Sequence, residues 1–187
     1  MDRRFRRQPH RALGRHESLK MNKARQPKLD IARTQTETVL EFLSGGILLF
    51  LFFLMFQNWT EIPELIPTHF GVSGKVDTWG SKYTILLIPS ITLLIYVGLT
   101  ILYRFPHVYN YPWRITDENA TRQYMLARTF LCWLKFELVV LFTCIEWTII
   151  QVAFGKSSGL GIGFLPFFMI IVFGTIGIYF WLAYKAR

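Results

Sequence analysis

A polar, turn-rich insert at residues 62–82 holds the residue types of a hydrolase. Its candidates are His69, Ser73, Asp77 and Ser81, which include a nucleophile, a base and an orienting carboxylate. All four lie within thirteen residues of one segment that also contains three glycines, and this composition is typical of turns. We therefore predict no catalytic residue in the insert and no enzyme activity for the protein.

The same insert is the predicted ligand-binding surface. His69, Asp77 and Trp79 supply a titratable ring, a carboxylate and an indole, groups that suit a binding surface. We expect them at the mouth of an outward-opening pocket, with Lys82 beside them and Glu146 at its floor. The alternative interpretation of the charged residues is structural, as ion pairs that lock helices together.

Charged residues inside apolar segments predict specific ion pairs. An ionisable group in a membrane span costs about 2.5 to 3.5 kcal/mol, so it usually has a partner or faces water. We expect Glu146 to pair with Lys82, or else with Lys75, on the outer side. Glu137 lies nearer the inner side, where Arg104 is its predicted partner. Both pairs would connect different helices.

A stripe of charge along the third apolar segment favours a helix with one polar face. At about 100° per residue, four charged residues fall on one side of that helix: Asp117, Arg128, Lys135 and Glu146. Glu137 points to nearly the opposite side from Glu146, because nine residues rotate the helix by about 180°. Lys135 would lie about 8 Å inside the inner boundary, and we expect its long side chain to snorkel to the surface.

Four apolar stretches must position these residues. They cover residues 39–56, 83–103, 130–152 and 164–184. Each has about 18 to 23 residues, which at about 1.5 Å per residue matches a hydrocarbon core of about 30 Å. With 52% hydrophobic and 17% aromatic residues, the composition agrees. We predict an all-α membrane protein with four transmembrane helices and a structured outer loop between the first two.

The distribution of Lys and Arg predicts the orientation, because cytoplasmic flanks carry the excess. Eleven of the 21 precede the first stretch, four follow the second, and two end the chain, whereas the other two connections hold three. We therefore expect both termini in the cytoplasm and the insert outside. The expected location is the bacterial plasma membrane, which is the inner membrane.

Residues 1–28 differ from the rest of the chain in composition. They are rich in arginine, contain two prolines and lack large apolar clusters, which predicts a disordered basic cytoplasmic tail before a transmembrane domain at residues 29–187. The tail is either a positive-inside signal or a segment that lies on the anionic inner leaflet. A nucleic-acid partner is not expected, because only Phe5 places an aromatic ring among the charges. Met21 is an alternative start.

Cysteine and histidine positions argue against several chemistries. Cys132 and Cys144 share one predicted helix, twelve residues apart, and a rise of about 18 Å is too long for a disulfide. His69 and His107 fall on opposite sides of the membrane, and no cysteine pair has zinc-ligand spacing. No phosphate loop or dinucleotide-binding glycine motif is present. We predict no metal site and no cofactor.

Several short motifs carry a resemblance to a known family. They are Ile66-Pro67-Thr68-His69-Phe70, Trp79-Gly80-Ser81-Lys82, Tyr111-Pro112, Ile115-Thr116-Asp117-Glu118-Asn119 and Arg122-Gln123-Tyr124. Over roughly residues 40–155 the sequence resembles the small prokaryotic membrane domain of unknown function at the N-terminus of SdpI-type immunity proteins. The resemblance implies a protein that protects a bacterium from its own secreted peptide toxin and acts as a membrane receptor that sequesters a repressor.

Together these features predict a non-catalytic membrane protein that acts in toxin immunity or envelope sensing. Its outer loop would bind an extracellular peptide or another ligand. The other expected partners are membrane lipids and a second protein or a second copy of the chain. The alternative is a small transporter, or a transporter accessory subunit, in which Glu137 and Glu146 relay protons.

Overall fold

A computed structural model of the chain describes residues 26–187. The predicted disordered tail lies almost wholly outside the described residues. Its last residues contact the folded part. The Gln26 amide donates a hydrogen bond to the Tyr109 carbonyl at 3.1 Å, and the Tyr124 hydroxyl donates one to the Pro27 carbonyl at 3.0 Å. The chain is thus already held against the helices at Gln26.

Four helices account for most of the described residues. They are α1 (Gln35–Asn58), α2 (Leu87–Tyr103), α3 (Ala120–Ala153) and α4 (Phe164–Lys185). A 3₁₀ turn at Lys82–Leu86 leads directly into α2. Each helix, with α2 counted together with its turn, is long and apolar enough to cross a membrane. This confirms the prediction of four such helices.

α1 begins at a capping box. The Glu37 N–H donates to the Thr34 side-chain oxygen at 3.2 Å, and the Thr34 N–H donates to the Glu37 carboxylate at 2.8 Å. These bonds satisfy backbone donors that the first turn of a helix would leave free. They also fix the Glu37 side chain at the start of α1, where other helices reach it.

The connection between α1 and α2 forms a β-hairpin. Strands β1 (Leu65–Phe70) and β2 (Val76–Ser81) pair in antiparallel orientation. Their turn closes through a hydrogen bond from the Gly71 N–H to the Lys75 carbonyl at 2.9 Å. The prediction of an all-α protein is therefore incomplete. Pairing the two strands satisfies backbone groups that the polar insert would otherwise leave unpaired.

The connection between α3 and α4 crosses the turn of the hairpin. Lys75 forms a backbone bridge with Gly159, and the Leu160 N–H donates to the Gly74 carbonyl at 2.8 Å. A Cβ atom on Gly74 would lie 2.3 Å from the Gly161 carbonyl oxygen, and the Gly74 φ of +74° favours glycine. The hairpin is thus docked onto a second connection of the chain.

α3 is the central element of the bundle. It packs against α1, α2, α4 and β1. Apolar side chains from α1, β1, the segments beside the strands and α3 form one buried cluster, made of Leu54, Met55, Ile62, Ile66, Ile85, Ile149 and Ile150. We call the end of the bundle that contains the strands the hairpin end. The opposite end, where α1 begins and α4 finishes, is the terminal end.

α4 is attached to the bundle along one side. Of its residues, Phe168 and Ala183 are buried. The rings of Phe130 and Tyr179 stack with centroids 4.6 Å apart, and the Gln123 amide donates to the Ala183 carbonyl at 2.8 Å. Most other side chains of α4 are apolar and point away from the bundle, as is typical of a helix that is apolar all round.

Candidate functional site

Two of the predicted ligand-binding residues form a pair on the hairpin. His69 Nδ1 lies 2.6 Å from Asp77 Oδ1, and the Thr78 hydroxyl donates to the same oxygen at 3.2 Å. The strand register shifts on both sides of His69, and such irregularities re-aim a side chain. The side chains of His69 and Asp77 are 66% and 48% exposed. The pair is therefore open to solvent and to a ligand.

The third hairpin residue adds an aromatic surface beside this pair. Trp79, also on β2, is 52% exposed. The hydrogen bond with His69 is the main cause that lowers the pKa of the Asp77 carboxyl below its ordinary value. One exposed element thus combines an indole, an ionised carboxylate and a titratable ring.

Lys82 pairs with a residue of its own segment instead of with Glu146. Its Nζ lies 2.8 Å from Glu64 Oε1, and its N–H donates to the Glu64 carbonyl at 2.9 Å. The backbone bond already holds these two residues together at the base of the hairpin. Their side chains therefore pair with little further loss of freedom. The predicted pair of Glu146 and Lys82 is wrong.

Glu146 is buried without a partner. Its relative exposure is 0%, and neither carboxylate oxygen makes a hydrogen bond within residues 26–187. The alternative pairing with Lys75 is therefore also wrong, because the hairpin turn holds that lysine at the surface. Full burial separates Glu146 from the exposed hairpin residues. It does not form the floor of a pocket that they share.

Arg128 forms the first of two polar layers inside the bundle. Its Nη2 lies 2.8 Å from Glu37 Oε2, and its Nη1 donates to the Ile31 carbonyl at 2.7 Å. The Tyr103 hydroxyl donates to the same Glu37 oxygen at 3.0 Å and accepts a hydrogen bond from Arg128. This layer ties α1, α2 and α3 to the segment before α1.

Lys135 forms the second layer. Its Nζ lies 2.5 Å from Glu41 Oε2 and donates to the Thr100 hydroxyl at 2.9 Å, while the Tyr96 hydroxyl donates to Glu41 Oε1 at 2.9 Å. The Lys135 side chain is 1% exposed, so the expectation that it snorkels is wrong. A carboxylate on α1 neutralises the ammonium inside the bundle, which removes the need to reach water.

The sequence contains a signal for both layers. Glu37 and Glu41 are four residues apart on α1, and Arg128 and Lys135 are seven apart on α3. Each spacing puts two charges on one face of a helix. Of the predicted charged stripe, Arg128, Lys135 and Glu146 are buried on α3, whereas Asp117 precedes the helix. The acids of α1 were missed as partners of the two bases. Two acids on one face of an apolar segment and two bases on one face of another could have identified them.

Glu137 contacts α4 instead of the end of α2. The Thr175 hydroxyl donates a hydrogen bond to Glu137 Oε1. Arg104, the predicted partner, follows the last residue of α2 and is exposed. Glu137 lies about 200° around α3 from Lys135, and Lys135 marks the side that meets α1 and α2. The predicted pair of Glu137 and Arg104 is wrong for this reason.

The described part of the chain contains neither a cluster of metal-ligating side chains nor a disulfide. Within residues 26–187, no group of three or more His, Cys, Asp or Glu side chains could hold a metal ion. Cys132 and Cys144, both on α3, are free, as their spacing predicts. The arrangement instead has exposed polar and aromatic side chains at the hairpin end and ion-paired helices toward the terminal end.

The comparisons with known proteins include a match to the region that contains the hairpin. Residues 46–93 match the family model of a domain of unknown function, DUF1648. This stretch runs from α1 through the whole hairpin into α2. It supports the domain part of the resemblance and assigns no activity.

One relative of the chain is likewise a protein without a described function. An uncharacterized protein of Archaeoglobus fulgidus is 29% identical over 87 residues, which cover 39% of this chain and 46% of the relative. The match thus spans less than half the length of that relative. No solved structure matches the chain.

Proposed function

We propose that the chain is a non-catalytic multi-pass protein of the bacterial plasma membrane that binds an extracellular ligand through its hairpin. The observation that carries this proposal is the exposed pair of His69 and Asp77 beside Trp79 on a docked hairpin. Groups that are held in place before binding lose less entropy when a ligand arrives. The buried Ile66 and the bridge at Lys75 hold the hairpin in this way.

The charge distribution supports an outward-facing hairpin. The connection between α2 and α3 and the two chain termini carry most of the Lys and Arg residues, whereas the two connections at the hairpin end hold three. Cytoplasmic flanks carry such an excess. Both termini then lie in the cytoplasm, and the hairpin faces the cell envelope.

A secreted peptide is the ligand class that we propose. The motifs of the hairpin resemble those of the domain in SdpI-type immunity proteins, which implies toxin immunity or envelope sensing. An exposed indole can pack against an apolar side chain of a peptide, and an adjacent pair of polar groups can hydrogen-bond its backbone. Lys82 lies at the base of the hairpin, paired with Glu64. A second protein or a second copy of the chain is a further proposed partner.

Peptide capture tests this proposal. The full chain in detergent is incubated with the peptide fraction that its source organism secretes, and retained peptides are identified by mass spectrometry. We expect a peptide that the native protein retains and that the double variant His69→Ala, Trp79→Ala loses. Val72→Ala, on the exposed hairpin turn, is the control and should retain the peptide. Equal retention by all three proteins, or none by the native one, would contradict the proposal.

A transporter, or an accessory subunit of one, is a second candidate, and Glu146 favours it. A buried carboxylate without a hydrogen-bond partner in residues 26–187 is a typical feature of proton and ion sites in membranes. Glu137, held by Thr175, is the second member of the proposed relay. Proton-driven flux into vesicles that contain the native protein, lost in Glu146→Gln, would support this role. Absence of flux with the native protein would contradict it.

A further inference from the structure

Three arginines line a cavity at the terminal end of the bundle. Arg33 precedes α1, Arg104 follows α2, and Arg128 projects from α3. The cavity has a volume of about 250 Å³. Its lining therefore combines positive groups from three separate parts of the chain.

The charges around this cavity do not balance. Arg128 is paired with Glu37, and Asp30 is the acidic residue of the cavity lining. Arg33 and Arg104 are both exposed, and neither forms a salt bridge within residues 26–187. The lining thus holds three guanidinium groups and one carboxylate, and Glu37, outside the lining, is already paired with Arg128. The site has room and charge for a small anion.

One aromatic ring contacts two of these guanidinium groups. The Cζ atoms of Arg33 and Arg128 lie 5.1 and 4.4 Å from the centre of the Tyr103 ring. Two cations at one ring repel each other, although the ring itself attracts each of them. A bound anion would offset that repulsion.

The position of the cavity at the ends of the helices indicates which class of molecule supplies the anion. Arg33 lies two residues before α1, and Arg104 directly follows α2, so both arginines lie where two apolar helices end. This is the level of lipid headgroups in a bilayer. The planar fork of arginine matches the geometry of phosphate oxygens, and basic pockets between transmembrane helices bind anionic headgroups.

We propose that this cavity binds the phosphate group of an anionic phospholipid. Arg33 and Arg104 contact the phosphate, and Arg128 holds the walls together through Glu37, Tyr103 and the backbone before α1. The proposal concerns the terminal end alone. It holds whether or not the hairpin binds a peptide.

Lipid titration of the delipidated full chain in a neutral detergent tests the proposal. Short-chain phosphatidylglycerol, phosphatidylcholine and inorganic phosphate are added separately, and bound ligand is counted by native mass spectrometry. We expect phosphatidylglycerol to bind more tightly than the other two. Arg33→Gln and Arg104→Gln should each weaken its binding about fivefold, from the free energy of about 1 kcal/mol per basic residue near a membrane surface.

Arg122→Gln is the matched control, because Arg122 is exposed at the same end but does not line the cavity. All variants keep the same basic residues at positions 1–28, so that segment contributes equally to the binding of each. Equal loss in the control would overturn the proposal, since it would show a general charge effect. Equal binding of both lipids would overturn it too. Inorganic phosphate binding as tightly as phosphatidylglycerol would assign the site to a free anion and overturn the lipid assignment.

Discussion

His69 and Asp77 touch each other on a surface that water reaches, so their interaction depends on pH. The pKa of Asp77 in the folded protein lies below its ordinary value of 3.8, chiefly because of the hydrogen bond with His69. A lowered pKa of a carboxyl means that the stabilisation is present above the ordinary value. It is lost as the pH falls through the lowered value. The pair is thus intact at neutral pH.

His69→Ala should raise the pKa of Asp77 toward its ordinary value, because the hydrogen bond that favours the carboxylate is gone. The carbon resonance of the Asp77 carboxyl, followed by NMR as the pH falls, measures the change. His107→Ala, in the connection after α2, is the control and should leave this titration unchanged. An unchanged midpoint in His69→Ala would show that the pair does not form.

Lys135 and Glu41 should depend on each other for their contribution to stability. Lys135→Met leaves the Glu41 carboxylate without its cation inside the bundle, and we expect the free energy of unfolding to fall by about 3 kcal/mol. Adding Glu41→Leu should recover part of that loss, because no charge is then left unpaired. Unfolding in detergent measures each variant.

Lys156→Met is the matched control for this cycle. Lys156 is exposed between α3 and α4, and its loss should cost less than about 0.5 kcal/mol. Losses from Lys135→Met and Glu41→Leu that simply add in the double variant would contradict the buried pair.

For single residues, the sequence predicted the helix face on which a charged residue lies better than it predicted the partner of that residue. Arg128 and Lys135 share one face of α3 as predicted, because helical periodicity depends on spacing alone. The expectation that Lys135 snorkels was wrong because its pairing with Glu41 depends on which helix packs opposite, and spacing along one segment does not define that. Lys82 pairs locally with Glu64 because a backbone hydrogen bond already joins them.

The hairpin gives the polar insert a fixed backbone structure, so its exposed side chains have defined positions. Its position depends on the close contact between Gly74 and the connection before α4, where the Gly74 carbonyl accepts a hydrogen bond from Leu160. A side chain at Gly74 would meet the backbone of Gly161. Docking of the hairpin is therefore sensitive to a single methyl group.

Gly74→Ala should loosen the docked hairpin. The residue would adopt a positive φ that costs of order 1 kcal/mol for a non-glycine residue, and its Cβ would force the two connections apart. We expect faster amide hydrogen exchange in both strands and a lower melting temperature. Gly98→Ala in α2, where a Cβ meets no atom within 4 Å, is the control. It should neither speed exchange in the strands nor lower the melting temperature, because alanine favours a helix interior over glycine. Unchanged exchange in Gly74→Ala would contradict the docked arrangement.

Helices and strands differed in how well the sequence predicted them. The four helices followed from the length of the apolar stretches, because a membrane-sized apolar run has few other solutions. The insert has many turn residues, and it forms strands because the second connection and the buried Ile66 hold it. Contacts of that kind join residues far apart in the sequence.

The whole molecule has two chemically different ends. The hairpin end exposes His69, Asp77 and Trp79, whereas the terminal end gathers arginines around Tyr103. An asymmetric distribution of basic residues also orients membrane proteins. The proposed ligand site on the hairpin therefore depends on which end faces the cytoplasm.

Cysteine labelling in intact cells tests the outward placement of the hairpin. Single cysteines replace Ser73, on the hairpin turn, or Asn110, between α2 and α3, in a chain with Cys132 and Cys144 changed to serine. Both positions are exposed and lie at opposite ends of the bundle. An impermeant maleimide should label Ser73→Cys in intact cells and Asn110→Cys only after the cells are opened. Labelling of Asn110→Cys alone in intact cells would reverse the orientation and contradict an extracellular ligand site.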